Sequence, residues 1–231
     1  MDREPQSRDH VGALKRLLIY VFVPLALVLL VALATAYIRD IPVTDLLRDP
    51  SAVLDGPFYV GLFSTAGIAL WSAAAAMCLL TMATGATGAE RSLLVAGAVI
   101  SLILGADDGF LVHETLKNAV GIPSPVTIAI YGIVAVLLLR PAWGYLMSRP
   151  DVVVFFAALV LFAISAGLDA AGELGLPTPP LSAVVEDMAK FLGIATWATF
   201  FAWFCRDLIR LRMVPEASSS LAHTAEGSEP S

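Results

Sequence analysis

The residues of this chain that could do chemistry are few, and they stand inside long apolar runs. One group is Asp107-Asp108-Gly109-Phe110-Leu111-Val112-His113-Glu114. A second is Ser165, Asp169 and Glu173, and a third is Glu186, Asp187 and Lys190. Carboxylates with one imidazole form a donor set for Zn²⁺, Mn²⁺ or Fe²⁺. Water activated on such an ion hydrolyses esters, amides and phosphates. On this reading Asp107, His113, Glu114 and Asp169 are candidate metal ligands. Glu173, Glu186 and Lys190 are candidate catalytic groups, with Glu173 or Glu186 as base. Lys190 also reads as a plain counter-ion.

Helical spacing connects the groups. Ser165, Asp169 and Glu173 step by four and share a face. Glu186 and Lys190 are also four apart and can pair along one helix. Asp107 and Glu114 are seven apart and face the same way, whereas His113 is turned by about 100° from Glu114. In a regular helix Asp108 points away from His113, so the four side chains cannot all meet; a break at Gly109 would lift that restriction. Glu186 and Asp187 open a helix, where the dipole favours anions. Asp107, Glu114, Asp169 and Glu173 close theirs, where it does not, so helix stability gives no reason for them. If gathered, the seven carboxylates face only Lys117 and Lys190. Such a site needs protons, a metal or a cationic substrate to be stable.

The elements that must position these groups are membrane helices. Apolar residues make up 58% of the 231, charged ones 15%, and the mean hydropathy is +0.82; soluble domains carry about 25% charged residues. Apolar runs cover Leu17–Tyr37, Phe58–Met82, Ser92 to about Leu116, Pro125 to between Leu139 and Met147, Val152–Leu174 and Leu181–Phe204. Each is near the roughly 20 residues that cross a bilayer. Helices satisfy their own backbone within one such segment. The expected fold is therefore all-α, a polytopic transmembrane bundle of about six spans over residues 15–212. A flexible tail (1–14) precedes it and a disordered tail (213–231) follows. Leu17–Tyr37 with Ala34-Thr35-Ala36 also resembles a signal peptide, but the run is longer than the usual 7–15-residue core. Ile41–Asp55 reads as a short helix on the membrane surface. At about 1.5 Å per residue, Asp107, Asp169 and Lys190 fall at one level, roughly 24–27 Å from the inner face.

Ten Lys and Arg residues lie on the side of the N-terminus, the second-to-third and fourth-to-fifth loops and the C-terminal tail; three (Arg39, Arg48 and Lys117) lie opposite. That bias predicts both termini in the cytoplasm and the acidic groups at the outer leaflet, in a prokaryotic cell membrane. The net charge is −6, and no basic run suits a nucleic acid. The expected partners are membrane lipids. Cys78 and Cys205 match no metal or redox spacing and read as small apolar residues. No internal repeat supports an inverted-repeat transporter.

The stretch from Asp107-Asp108-x-Phe110-x-x-His113-Glu114, through Asp169, to Glu186-Asp187-x-x-Lys190-x-x-Gly193 resembles a pattern in uncharacterised prokaryotic multi-pass membrane proteins. It would cover the third to sixth spans and implies the same fold without an activity. There is also a remote likeness to intramembrane lipid hydrolases of the alkaline ceramidase type, which implies a zinc site. Those enzymes use three histidines; here His113 is alone in the membrane domain, with His10 and His223 in the tails. A metal-dependent hydrolase acting on a lipid or amphiphile is the leading expectation. A proton or cation sensor or transporter is the alternative. The cytoplasmic half offers mainly Cys78, Thr81 and Thr199, which favours a one-sided sensor over a conducting path. A membrane scaffold without chemistry, its charges serving a hydrogen-bonded network, is the third.

Overall fold

The computed structural model describes Lys15, Ile19 and residues 22–40, 42, 57, 61–177 and 179–226; from residue 213 onward only the helical backbone is described. The chain divides into two units, Met1–Val60 and Gly61–Ser231. In the first, α1 covers Val23–Arg39, with a proline in its first turn, and stops at Asp40 in the left-handed conformation (φ 54°). The described helix thus takes in the later part of the expected first span. The surface helix expected over Ile41–Asp55 and the tail 1–14 lie outside the described residues, apart from Pro42.

The second unit runs α2 (Leu62–Ala83), α3 (Gly88–Phe110), α4 (Val112–Val120), α5 (Ser124–Leu139), a 3₁₀ turn (Arg140–Ala142), α6 (Trp143–Met147), α7 (Val152–Glu173) and α8 (Ser182–Glu226). Among the described residues five segments are long and apolar enough to cross a membrane: Leu62–Ala83, Gly88–Phe110, Ser124–Met147, Val152–Glu173 and Ser182–Arg212. They correspond to the second to sixth runs in the sequence, and they make this an integral membrane protein of helical type. The disordered tail expected from residue 213 falls where side chains are outside the described residues.

Beside a few shifts at helix starts, such as Gly88 in place of Ser92 for the third span, one boundary differs in a way that shapes the site. The third span stops at Phe110, not near Leu116, because Leu111 adopts φ 49°. A left-handed residue cannot continue a right-handed helix. The chain restarts as α4, which ends at Gly121 in the left-handed conformation that glycine adopts without strain.

The core is aromatic and lies along α8. Phe155 of α7 and Trp197, Phe200, Phe201 and Phe204 of α8 are fully buried. Small residues let them approach: a Cβ placed on Gly97 of α3 would sit 2.2 Å from the Phe201 ring, one on Gly105 2.9 Å from Trp71, and one on Gly193 2.8 Å from Phe162. Outside, Leu102, Ile133, Val136, Val153 and Val160 are exposed, as lipid-facing positions should be. Cys78 and Cys205, distant in sequence, are buried side by side in this core.

The loop end of α7 and the C-terminal part of α8 are clamped by arginines. Arg149 bonds Asp151 through Nε and Nη2, both at 2.8 Å, reaches Asp207 at 3.3 Å and lies 4.6 Å over the Phe204 ring. Arg212 joins α8 to Glu90 and Thr84, each at 2.7 Å. Paired donors in a planar fork give these contacts a fixed geometry.

Candidate functional site

The break at Leu111 builds the site. Residues at the end of α3 and the start of α4 no longer share one helix axis, so Asp107, Asp108, His113 and Glu114 all line one cavity. The regular-helix expectation that Asp108 points away from His113 is corrected here, and the break falls at Leu111, not Gly109.

Asp107 is the hub. Its side chain is buried, with the whole residue 8% exposed. Oδ1 accepts the His113 backbone N–H at 2.9 Å and the Tyr131 hydroxyl at 3.0 Å. Oδ2 meets His113 Nδ1 at 2.8 Å. The carboxylate closes α3 but caps the first turn of α4, where free N–H groups and the dipole favour an anion. Its placement therefore has the local helical reason that the sequence did not reveal. A neutral imidazole that donates Nδ1–H to this carboxylate would leave Nε2 as base or ligand atom.

Asp108 is held separately. Oδ2 accepts the indole N–H of Trp71 at 2.9 Å, and Oδ1 pairs with Lys190 Nζ at 2.5 Å. The sequence paired Lys190 with Glu186 along α8. The structure pairs it with Asp108, whose side chain is 9% exposed, where a cation offsets the carboxylate's desolvation.

The cavity holds about 490 Å³, within the range of small-molecule sites. Ile103, Leu104, Ile128, Leu159 and Phe162 give it an apolar wall. Asp169 and Ser165 come from α7, and Glu186, Asp187 and Lys190 from α8. Glu114, Asp169, Glu186 and Asp187 have no hydrogen-bond or ion-pair partner among the described residues. Ser165 is 8% exposed, faces the cavity and likewise has no hydrogen-bond partner among them. No three His, Cys, Asp or Glu among the described residues are spaced to hold a metal.

Glu173 is not brought into the cavity lining. It bonds Lys117 of α4 and, at 3.0 Å, Ser124 of α5. This ties α4, α5 and α7 together beside the site. The bond to Glu173 holds the Lys117 ammonium above its ordinary pKa.

Residues 22–204 match the domain of unknown function DUF8692. The chain belongs to that family. DUF8692 carries no activity in its description, in keeping with the resemblance to uncharacterised membrane proteins, while the alkaline ceramidase likeness gains no support. No curated protein and no solved structure matches this DUF8692 chain.

Two site residues escaped the sequence reading, Trp71 and Tyr131. Each stands in an apolar run, where an aromatic residue reads as core. The available signal was their polar tips: a buried indole N–H or phenol needs a partner, and the carboxylates of the same bundle are natural ones.

Proposed function

We propose that this chain is a membrane-embedded hydrolase with His113 as general base, acting on an amphiphile held in the cavity. The observation that carries the reading is the 2.8 Å contact of His113 Nδ1 with Asp107 inside a cavity of ligand size. Asp107 fixes the tautomer and ring orientation, and Nε2 takes the proton from an attacking water. The water oxygen adds to the carbonyl carbon of an ester or amide. Collapse of the adduct returns the proton from the imidazolium to the departing alcohol or amine. Lys190, the cationic side chain of the lining, would offset charge on the adduct oxygen, with Glu186 as a second proton carrier. Glu173 has no step in this scheme.

An alternative form of the proposal replaces the imidazole base by a divalent ion (Zn²⁺, Mn²⁺ or Fe²⁺): His113 Nε2, Glu114 and Asp169, which are not at metal-binding spacing as they stand, would have to draw together as its donors, and Glu186 would then serve as base. Asp107 then orients the histidine from behind, since its oxygens are already engaged. A second reading, a proton or cation sensor, draws on the carboxylates without partners. We place both termini in the cytoplasm and the site at the outer leaflet of a prokaryotic cell membrane, on the Lys and Arg bias.

The test is hydrolysis of acyl esters and amides of amphiphiles by the purified full chain, with metal content measured on the same samples. Turnover that falls at least about 100-fold in His113→Gln supports the enzyme. Metal retained by the wild type and lost by Asp107→Ala with Asp169→Ala supports the ion. Absence of turnover after loading with each ion, with proton-dependent fluorescence changes instead, moves the assignment to sensing.

A further inference from the structure

The reaction class leaves the substrate open, and the cavity's charge narrows it. Asp107, Asp108, Glu114, Asp169, Glu186 and Asp187 line it, against Lys190 as its cation among the described residues. Lys190 is already paired with Asp108, and Asp107 is already taken by His113 and Tyr131. Four carboxylates therefore remain to meet a ligand. An anionic head group would meet repulsion on α4, α7 and α8 alike, and among the described residues no arginine lines the wall to receive a phosphate.

A second observation is independent of the acids. Ser165, 8% exposed as a whole residue, lines the cavity and has no hydrogen-bond partner among the described residues. Buried hydroxyls are normally satisfied, and several serines and threonines of this bundle return their protons to the carbonyl four residues back. Ser165 stands one turn from Asp169 on the same face of α7. A hydroxyl and a carboxylate so arranged form an acceptor pair for N–H donors. Aromatic side chains complete the surround, with Trp71, Tyr131 and Trp197 in the lining.

We infer that the cavity takes an amphiphile with a cationic amine head group. Ser165, Asp169 and Glu186 receive the ammonium, and the chain lies along Ile103, Leu104 and Leu159. The inference rests on the cavity being the ligand site of the proposed hydrolase, but binding can be measured without turnover.

The experiment is equilibrium binding to the full-length protein in non-ionic detergent. The probes are dodecylamine, dodecanol and dodecyl phosphate, each below its micellar concentration. The expected order is amine tighter than alcohol by at least about tenfold, with the phosphate weakest. Asp169→Asn with Glu186→Gln should weaken the amine about tenfold or more and leave the alcohol within about twofold. Ser165→Ala should weaken the amine by a few-fold, about one neutral hydrogen bond. Equal binding of amine and alcohol, tighter binding of the phosphate, or an unchanged amine affinity in the double variant would overturn the inference. His113→Gln separates the two proposals. Selective amine binding retained in that variant, with no hydrolysis by the wild type, sinks the hydrolase and keeps the cationic ligand. Hydrolysis by the wild type without amine selectivity keeps the hydrolase and sinks the ligand class.

Discussion

Asp107 receives two polar groups of His113, the backbone N–H at 2.9 Å and the ring Nδ1 at 2.8 Å. One carboxylate thus caps α4 and orients the imidazole. Asp107→Ala removes both effects. The lost cap and the orphaned Tyr131 hydroxyl should cost about 2 kcal/mol. Nitrogen NMR of labelled histidine should show the Nδ1–H tautomer in the wild type and a tautomer mixture in the variant. A ring that keeps one tautomer without Asp107 would remove the orienting role.

Lys190 and Asp108 should behave as a coupled pair. Lys190→Met leaves a carboxylate of 9% side-chain exposure with the Trp71 indole as its remaining partner. Lys190 itself is 43% exposed, so the loss is smaller than for a sealed pair, about 2 kcal/mol. Adding Asp108→Asn should recover most of that loss. Unfolding in mild detergent across the four-member cycle measures it. Losses that simply add would mean the two charges do not interact.

Lys117 sets an alkaline dependence. Its pKa is raised from 10.5 by the bond to Glu173. A lysine whose pKa is higher in the folded state stabilises the fold below its unfolded value and loses that contribution as pH climbs through the folded one. The difference in Tm between wild type and Lys117→Met should therefore be constant from pH 7 to about 10 and shrink above it. Lys117 is about half exposed, so the difference should be small throughout. A gap that stays unchanged at high pH would show that the pair contributes no stability.

Gly97 tests the packing of α3 on α8. An added Cβ would meet the Phe201 ring at 2.2 Å, inside contact distance. Gly97→Ala should destabilise by about 1–3 kcal/mol, and Phe201→Leu should relieve part of that in the double variant. A neutral Gly97→Ala would mean the two helices can part without cost.

The sequence by itself determined the helical class and the approximate spans, because hydropathy adds up along a continuous segment and needs no partner. α7 over Val152–Glu173 and α8 from Ser182 follow the apolar runs closely. It also marked the acids that line the cavity, since charge inside an apolar run is visible locally. Only the tertiary structure decided how they are used. The break at Leu111 is a positive φ on a leucine, where sequence rules point to glycine. It turns Asp107 from a misplaced C-terminal anion into the cap of the next helix. Lys190 chose Asp108 over Glu186, and Glu173 went to Lys117 and Ser124, because pairing depends on which helices are neighbours and how much water remains around each group. Trp71 and Tyr131 entered for the same reason: their polar tips found carboxylates on another helix, a relation between segments that no single apolar run contains.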